Sequence, residues 1–513
     1  RVFVRAEQNL TRSREEREEE GDSVRRLLYN SDGTNMFIRP SPMAATDLLQ
    51  YVDEVADSQV TTFLASPNAG QNFYCPSRVG EYIGKEWSDS DLDAMARQEG
   101  RALLASVTRN VRDLIRAGND PLATVLARCR RRGLEAFITF RMNELHDVDR
   151  PDSPLISRFY REHPEWRLNE PEHGWLGLAP NFAVREVRER RIAEIADLVE
   201  RHDIDGLELD FQRFPAYFSH AEGVAETHAP LMTELVAEIR RHTERAASRR
   251  GHSILLSARV PGTLQGCLKI GLDPVEWHRR GLLDFLTIAP FLRTLFRMPV
   301  REFKAAFPGL PVYAGVEFSA QHHEGKARPM TPELYRGVAA SLMAQGADGV
   351  SLFNMFCARE NAEHSWEPPF PVLSEIGSLS TLAGTPKLYL VDRRSDFDQP
   401  ADPVPVLPAA VTPDRAATVS LFVAESDCHA SECLMRIETE PALPGGALSV
   451  SLNGDLLPAG RTANRARVFP EPHDETAQEA VRWKEFALPP GAVRAGENHV
   501  QVASGEPCTV LGI

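Results

Sequence analysis

The segment Asp205-Gly206-Leu207-Glu208-Leu209-Asp210-Phe211-Gln212-Arg213 alternates so that Leu207, Leu209 and Phe211 share one face of a strand while Glu208, Asp210 and Gln212 share the other. Two carboxylates stacked on one buried strand are costly, so they are either working groups or a polar layer satisfied by neighbouring Arg and Tyr side chains. A second acidic tail, Val312-Tyr313-Ala314-Gly315-Val316-Glu317-Phe318, turns Tyr313, Gly315 and Glu317 to one side by the same alternation. Facing carboxyl groups are what glycosidic-bond hydrolysis requires. One protonates the leaving oxygen, and the other stabilises or attacks an oxocarbenium-like centre. The expected roles are Asp210 as general acid/base, Glu317 as nucleophile or opposing base, and Glu208 as a deeper like charge that favours the protonated form of Asp210.

A third tail, Phe140-Arg141-Met142-Asn143-Glu144-Leu145-His146-Asp147, crowds polar groups into one loop. Arg141 and Asn143 share the inward parity. Arg141 can hold a carboxylate ionised or clamp a sugar hydroxyl, and Glu144 and His146 can bond substrate. No second His stands at ligand spacing from His146, so neither a metal nor another cofactor is expected. Asp32, Asn68, Arg213, Arg259 and Asn354 end or follow other apolar runs and complete an expected ring of hydroxyl-binding groups. Trp166, Trp175, Tyr217 and Trp366 offer flat faces for sugar rings; one or two should touch ligand, with Trp366 assigned to substrate.

The elements that must position these residues are eight apolar runs: Arg26–Asn30, Val60–Ala65, Leu134–Arg141, Gly206–Phe211, Ser253–Val260, Phe285–Ala289, Pro311–Glu317 and Gly349–Phe353. Amphipathic stretches lie between them, such as Ala183–His202, Met232–Ser248 and Thr331–Gln345, each with an apolar stripe at helical spacing. Eight βα units close a (β/α)8 barrel, whose working residues stand at the C-terminal strand ends. A doubly wound sheet uses the same units but would carry a glycine-rich phosphate turn after its first strand, and Asn30-Ser31-Asp32-Gly33-Thr34-Asn35 is not one.

Helical periodicity stops near Pro368-Pro369-Phe370-Pro371. From Lys387 the pattern becomes short alternating strands, including Thr418–Ala424, Leu434–Glu438, Ala447–Leu452, Trp483–Ala487 and His499–Ala503, with an Asn453-Gly454 hairpin turn. The expected division is a charged arm over 1–21, a barrel over 22–380 and an all-β jelly-roll sandwich over 387–513. Seven cysteines without a CxxC pair indicate no zinc site; one bridge, from Cys428 to Cys433 or Cys508, fits the last domain.

The barrel phrases are recognisable. Asp203-Ile204-Asp205-Gly206-Leu207-Glu208-Leu209-Asp210-Phe211-Gln212-Arg213-Phe214-Pro215, Asn30-Ser31-Asp32-Gly33, the loop after Phe140 and His163-Pro164-Glu165-Trp166 resemble the TIM-barrel proteins grouped with family 10-like glycosyl hydrolases. The resemblance implies hydrolysis of a glycosidic bond. Leu452-Asn453-Gly454, Phe486-Ala487-Leu488-Pro489-Pro490 and Arg494-Ala495-Gly496-Glu497-Asn498 resemble the galactose-binding-like jelly rolls appended to many glycosidases. The fourth strand is also similar to the DGxDxDxE strand of family 18 chitinases, but Gln212 occupies the position of the proton-donating Glu, and an amide cannot protonate a leaving group. Two rival readings stay open: a non-catalytic carbohydrate-binding pseudoenzyme, and a metal-assisted hydrolase using Glu208, Asp210, His146 and Asp147.

Composition bounds the partners. The chain has 513 residues, 42% of them hydrophobic and 26% charged, which is ordinary globular usage. A net charge of −15 argues against nucleic acid, and no apolar run is long enough to span a membrane. An oligosaccharide or polysaccharide is the expected partner. The chain begins with Arg rather than Met, which fits a secreted or periplasmic protein whose targeting segment is not in this sequence.

Overall fold

Strands that are apolar on both faces need cover on both sides, and a closed barrel ringed by helices provides it. The computed structural model of the chain describes residues 27–68, 70–323, 326–359, 367–395, 398–426, 433–443, 447–465 and 481–513. Seven parallel strands, β1 (Leu27–Ser31), β2 (Thr62–Ala65), β3 (Glu135–Arg141), β4 (Gly206–Asp210), β5 (Leu255–Pro261), β6 (Phe285–Ala289) and β7 (Val312–Glu317), are followed by a hairpin of β8 (Ser319–His323) and β9 (Lys326–Pro329). The eighth barrel strand, β10 (Gly349–Phe353), closes the ring in the order β1-β10-β7-β6-β5-β4-β3-β2.

Each of the eight barrel strands lies within two residues of its expected place. The hairpin was not anticipated. The helix expected over Met232–Ser248 spans Val224–Arg250 and carries Pro230 inside it; a proline reads as a helix boundary, which masked the turns before it.

The barrel interior changes character from floor to mouth. Leu28, Leu64, Phe137, Phe285 and Tyr313 form an apolar floor. Gly206 exists because of that floor: a Cβ there would lie 2.2 Å from Phe137 ring carbons. One residue pair higher, Thr139, Glu208 and Ser257 stand side by side, and at the mouth Arg141, Asp210, Arg259 and Thr287 form one row across β3 to β6. Outward-facing Leu207, Leu209 and Phe211 join the core under the helices, as the alternation of β4 predicts.

The C-terminal region is a two-sheet β-sandwich. One sheet orders β11 (Ala409–Val411), β19 (Cys508–Gly512), β13 (Leu434–Glu440), β17 (Val481–Ala487) and β16 (Arg461–Arg465). The other orders β12 (Ala417–Val423), β18 (Gly496–Ser504), β14 (Leu448–Leu452) and β15 (Asp455–Leu456). Val419, Ile437, Val450, Phe486, Val500 and Val510 fill the space between them. Asn453 and Gly454 turn β14 into β15 with φ of 56° and 94°, and Asn453 Nδ2 donates to Ala492 O and to Asn498 Oδ1. Cys428 lies outside the described residues.

Between barrel and sandwich the chain does not float free. Asp392 accepts the Phe296 and Arg297 amides, Asp398 pairs with Arg293, Thr263 donates to Ala401 O, and Asp402 reaches the barrel beside β4 and β6. Residues before β11 thus form a strap fastened to the barrel by three aspartates.

Candidate active site

Asp210 ends β4, and its Oδ1 accepts three N–H groups: the backbone amides of Gln212 (3.0 Å) and Arg213 (3.1 Å) and Arg259 Nη1 (3.0 Å). Arg259 comes from the adjacent β5 position, where the register pairs it with Asp210. Its other arm, Nη2, donates to Glu317 Oε1 at 3.2 Å. The guanidinium also lies over the Phe353 ring, 3.9 Å from its centroid, so β10 supplies a cation–π seat that holds the fork between the two acids. Phe353 has the inward parity of β10 and could have been found from that alone. Thr294 fixes the end of β7 by accepting the Glu317 amide and donating to the Glu317 carbonyl, both at 2.9 Å.

The acids are deeply buried: Asp210 is 0% and Glu317 1% exposed. Burial pushes the Glu317 carboxyl up to about 8, against the pull of Arg259 and Arg213. Glu208 sits one layer down and accepts Thr139 Oγ1 at 2.8 Å; burial first, and the charge of Asp210 second, push it up to about 7. The like-charge effect expected between these neighbours is therefore seen at Glu208. Asp210 Oδ2, Glu317 Oε2 and Glu208 Oε2 are buried without a hydrogen-bond partner among the described residues.

A second cluster stands on β1 and β3. Arg141 donates to Glu144 Oε2 at 2.9 Å and to Asp32 Oδ2 at 3.3 Å, and Asp32 Oδ1 also accepts the Thr34 amide. Glu144 Oε1 accepts the His146 amide and makes a short contact with His146 Nδ1. Arg213 Nη2 meets His146 Nε2 at 3.1 Å. An arginine only donates, so Nε2 is the acceptor and the ring proton sits on Nδ1 toward Glu144.

Asp32, Arg141, Glu144, His146 and Arg213 thus form one network, and Asp210, Arg259 and Glu317 another. Asn143 serves the rim, donating to Ala216 O at 2.5 Å, and Asn68 donates to Gly70 O within its own loop. Asn354 follows β10 in the left-handed region (φ 57°), its Oδ1 buried without a partner among the described residues. Trp366 lies outside the described residues. Tyr217 is a core residue bonded to Phe211 O, and Trp166 stacks on His163, whereas Trp175 is 42% exposed and meets Phe214 and Phe291.

Asp147 belongs to neither network. It pairs with Arg101 and Ser153, so Glu208, Asp210, His146 and Asp147 do not converge as a ligand set. Among the described residues the metal-competent grouping is instead Glu170, His173 and His220. Gln212, at the chitinase acid position, donates through Nε2 to Asp402 Oδ1 of the strap at 3.1 Å. No local pattern reveals that contact, because the partners are 190 positions apart.

The mouth is also where the backbone is strained. Asp147, Phe214, Leu292 and Asn354 have φ of 58°, 54°, 51° and 57°, each in a segment following the C-terminal end of a barrel strand. For Phe and Leu this conformation is costly and is held by the surroundings. A cavity of about 390 Å3 opens elsewhere, between the barrel and the sandwich, lined by Phe296, Met298, Val391, Pro403 and Phe422 among others.

No protein-family model matches the sequence, and no curated protein matches it. Among solved structures it is similar to the glycoside hydrolase domain of PgaB (BpsB) from Bordetella bronchiseptica, at 10% identity over 70% of this chain and 99% of that chain, with a TM-score of 0.40. It is also similar to an alpha-L-fucosidase GH29 from Bacteroides thetaiotaomicron (10% identity, 93% of this chain, 92% of that chain, TM-score 0.37). A third is the GH36 alpha-galactosidase AgaB from Geobacillus stearothermophilus (16% identity, 94% and 56%, TM-score 0.39). At these identities and scores the likeness carries no argument about chemistry.

Proposed function

We propose that the protein hydrolyses a glycosidic bond, with Glu317 as proton donor and Asp210 as the carboxylate that attacks the anomeric carbon or activates water. One observation carries the reading: a single guanidinium, Arg259, holds both acids, which share the mouth but differ in surroundings. Glu317, pushed up to about 8, keeps its proton at neutral pH, while three N–H donors converge on one oxygen of Asp210, as suits an anion. This reverses the division of labour expected from the sequence. The reaction follows from it: the Glu317 proton passes to the glycosidic oxygen, the C–O bond breaks, Asp210 Oδ2 meets the developing positive charge, and a water then gives its hydroxyl to the anomeric carbon and its proton to the carboxylate pair, which restores the proton on Glu317.

The substrate is a glycan, and Asp32, Asn68, Arg141, Asn143, Glu144, His146, Arg213 and Asn354 are its positioning residues in this reading. The barrel within 22–380 is the catalytic unit and 387–513 an appended module of the galactose-binding-like kind; membership of the family 10-like group belongs to the same reading. A panel of defined oligosaccharides, with products read by mass spectrometry and anomers by NMR, tests it. Turnover of at least one glycan by wild type, lost in both Asp210→Asn and Glu317→Gln, is the expected result; full turnover in both variants overturns it.

The depth of the site favours one rival. With both acids at or below 1% exposure, a sugar reaches them only when the rim separates, and a protein that binds glycans outside a closed mouth fits the same burial. Calorimetric binding without any released product in the same panel decides for that pseudoenzyme.

A further inference from the structure

Arg141, Arg213 and Arg259 stand at the barrel mouth, and they are not equivalent. Arg141 is matched by Asp32 and Glu144, and Arg259 by Asp210 and Glu317. Arg213 forms no ion pair among the described residues. Its one side-chain hydrogen bond runs to a neutral acceptor, His146 Nε2, and its Nε and Nη1 are buried with no acceptor among the described residues. Leaving the N–H groups of a charged fork unmatched is expensive, more so than leaving a neutral donor.

The fork is nevertheless held in place. Its carbon lies 4.6 Å from the Phe214 ring centroid, His146 is itself anchored to Glu144, and the Arg213 amide is bonded to Asp210. A guanidinium fixed by an aromatic face and a tethered imidazole, with donors left over, is preorganised for an anion that arrives from outside.

We infer that Arg213 is the recognition site for an acidic group on the sugar, a carboxylate or a sulfate ester, so that the substrate is an anionic glycan. The inference rests on the glycosidase reading for the word substrate; the anion site itself stands on the unmatched fork. The protein as a whole carries −15, so a local cation at the mouth sets the preference against the overall field.

The test uses matched ligands on the full chain: uronate oligosaccharides, the same oligosaccharides after carboxyl reduction, and sulfated and desulfated pairs, each titrated calorimetrically at low and raised salt with product formation followed in the same samples. The expected result is binding of at least one acidic member, at least tenfold weaker for its neutral twin and for Arg213→Gln, and weakened by salt. Arg213→Lys, which keeps the charge but not the fork, should recover part of it. Equal affinity for acidic and neutral twins, or no binding by any acidic member, overturns the inference; so does an Arg213→Gln variant that folds and binds unchanged. If that variant does not fold, the comparison of twins on wild type still decides. Cleavage of neutral glycans without acidic preference removes this inference and leaves the glycosidase, whereas acidic binding without cleavage does the reverse.

Discussion

Asp210 and Glu317 are joined through the two arms of one guanidinium: Arg259 Nη1 is 3.0 Å from Asp210 Oδ1, and Nη2 is 3.2 Å from Glu317 Oε1. A planar fork can bridge two acids on different strands, while a lysine, as a point charge, serves one. The arrangement therefore makes Arg259 the residue on which the geometry of both acids depends.

Replacing it tests that dependence. Arg259→Ala strands two buried carboxyl groups, and breaking a buried pair by removing one partner costs about 3–5 kcal/mol. Urea denaturation of wild type and variant measures the loss. Arg259→Lys should recover only part of it, because one ammonium cannot take both bonds at once.

The pH dependence of stability follows from the Glu317 proton. Its folded pKa is raised to about 8 from an ordinary 4.5, with burial the largest cause. Across that window the unfolded chain sheds the proton before the folded chain does. Stability therefore falls as pH rises from about 4.5 toward about 8 and levels off above. Glu317→Gln cannot lose a proton, so it should remove this part of the slope. Denaturation midpoints of both proteins at a series of pH values give the difference, and identical slopes would contradict the assignment. For a cleaved substrate, the alkaline fall in kcat/KM should begin near pH 8 in wild type.

Asp402 ties the strap to the segments that follow β4 and β6. Its Oδ1 accepts Gln212 Nε2 at 3.1 Å and its Oδ2 the Phe291 amide at 2.9 Å. Asp402→Ala orphans both buried donors, each worth about 1–3 kcal/mol, and frees the Gln212–Arg213 backbone whose amides hold Asp210. A lowered denaturation midpoint is expected, with kcat reduced more than KM is raised on a cleaved glycan. A change confined to stability would make the strap a fastening only.

The floor of the barrel admits a sharper steric test. An alanine Cβ at Gly206 would lie 2.2 Å from the Phe137 ring, and overpacking of this kind costs about 1–3 kcal/mol. Gly206→Ala should lower the denaturation midpoint, and Phe137→Leu in the same chain should restore part of it. Simple additivity of the two changes would mean that the ring is not the cause.

The barrel was legible in the sequence because its signal is local. The alternation of β4 put Glu208 and Asp210 on one face and Leu207 and Leu209 on the other, and the same parity carried Glu317 inward on β7. Contacts between distant segments left no such trace. Nothing in the proline-rich stretch around Asp402 announces a bond to Gln212, and the hairpin β8–β9 follows β7 without a turn signal of the Asn-Gly kind. Roles are harder than places: strand parity contains neither the number of N–H donors each oxygen meets, three on Asp210 Oδ1 and one on Glu317 Oε1 among the described residues, nor the upward push that burial gives Glu317.

Trp175 is the most exposed of the named aromatics among the described residues, and in the glycosidase reading it is the one offered to a sugar ring. It is 42% exposed, presents its edge or face to Phe214 and Phe291 at centroid distances of 5.0 and 6.4 Å, and lies on the loop facing the β4 rim. Because much of the ring stays in water, Trp175→Ala should leave the denaturation midpoint nearly unchanged. Stacking on a flat indole face contributes about 0.5–1.5 kcal/mol, roughly a twofold to twelvefold loss of glycan affinity when removed. Calorimetry on whichever oligosaccharide binds wild type reads that loss directly. Trp175→Phe keeps an apolar face and should retain most of the affinity. Equal binding by wild type and Trp175→Ala would place the sugar elsewhere on the rim.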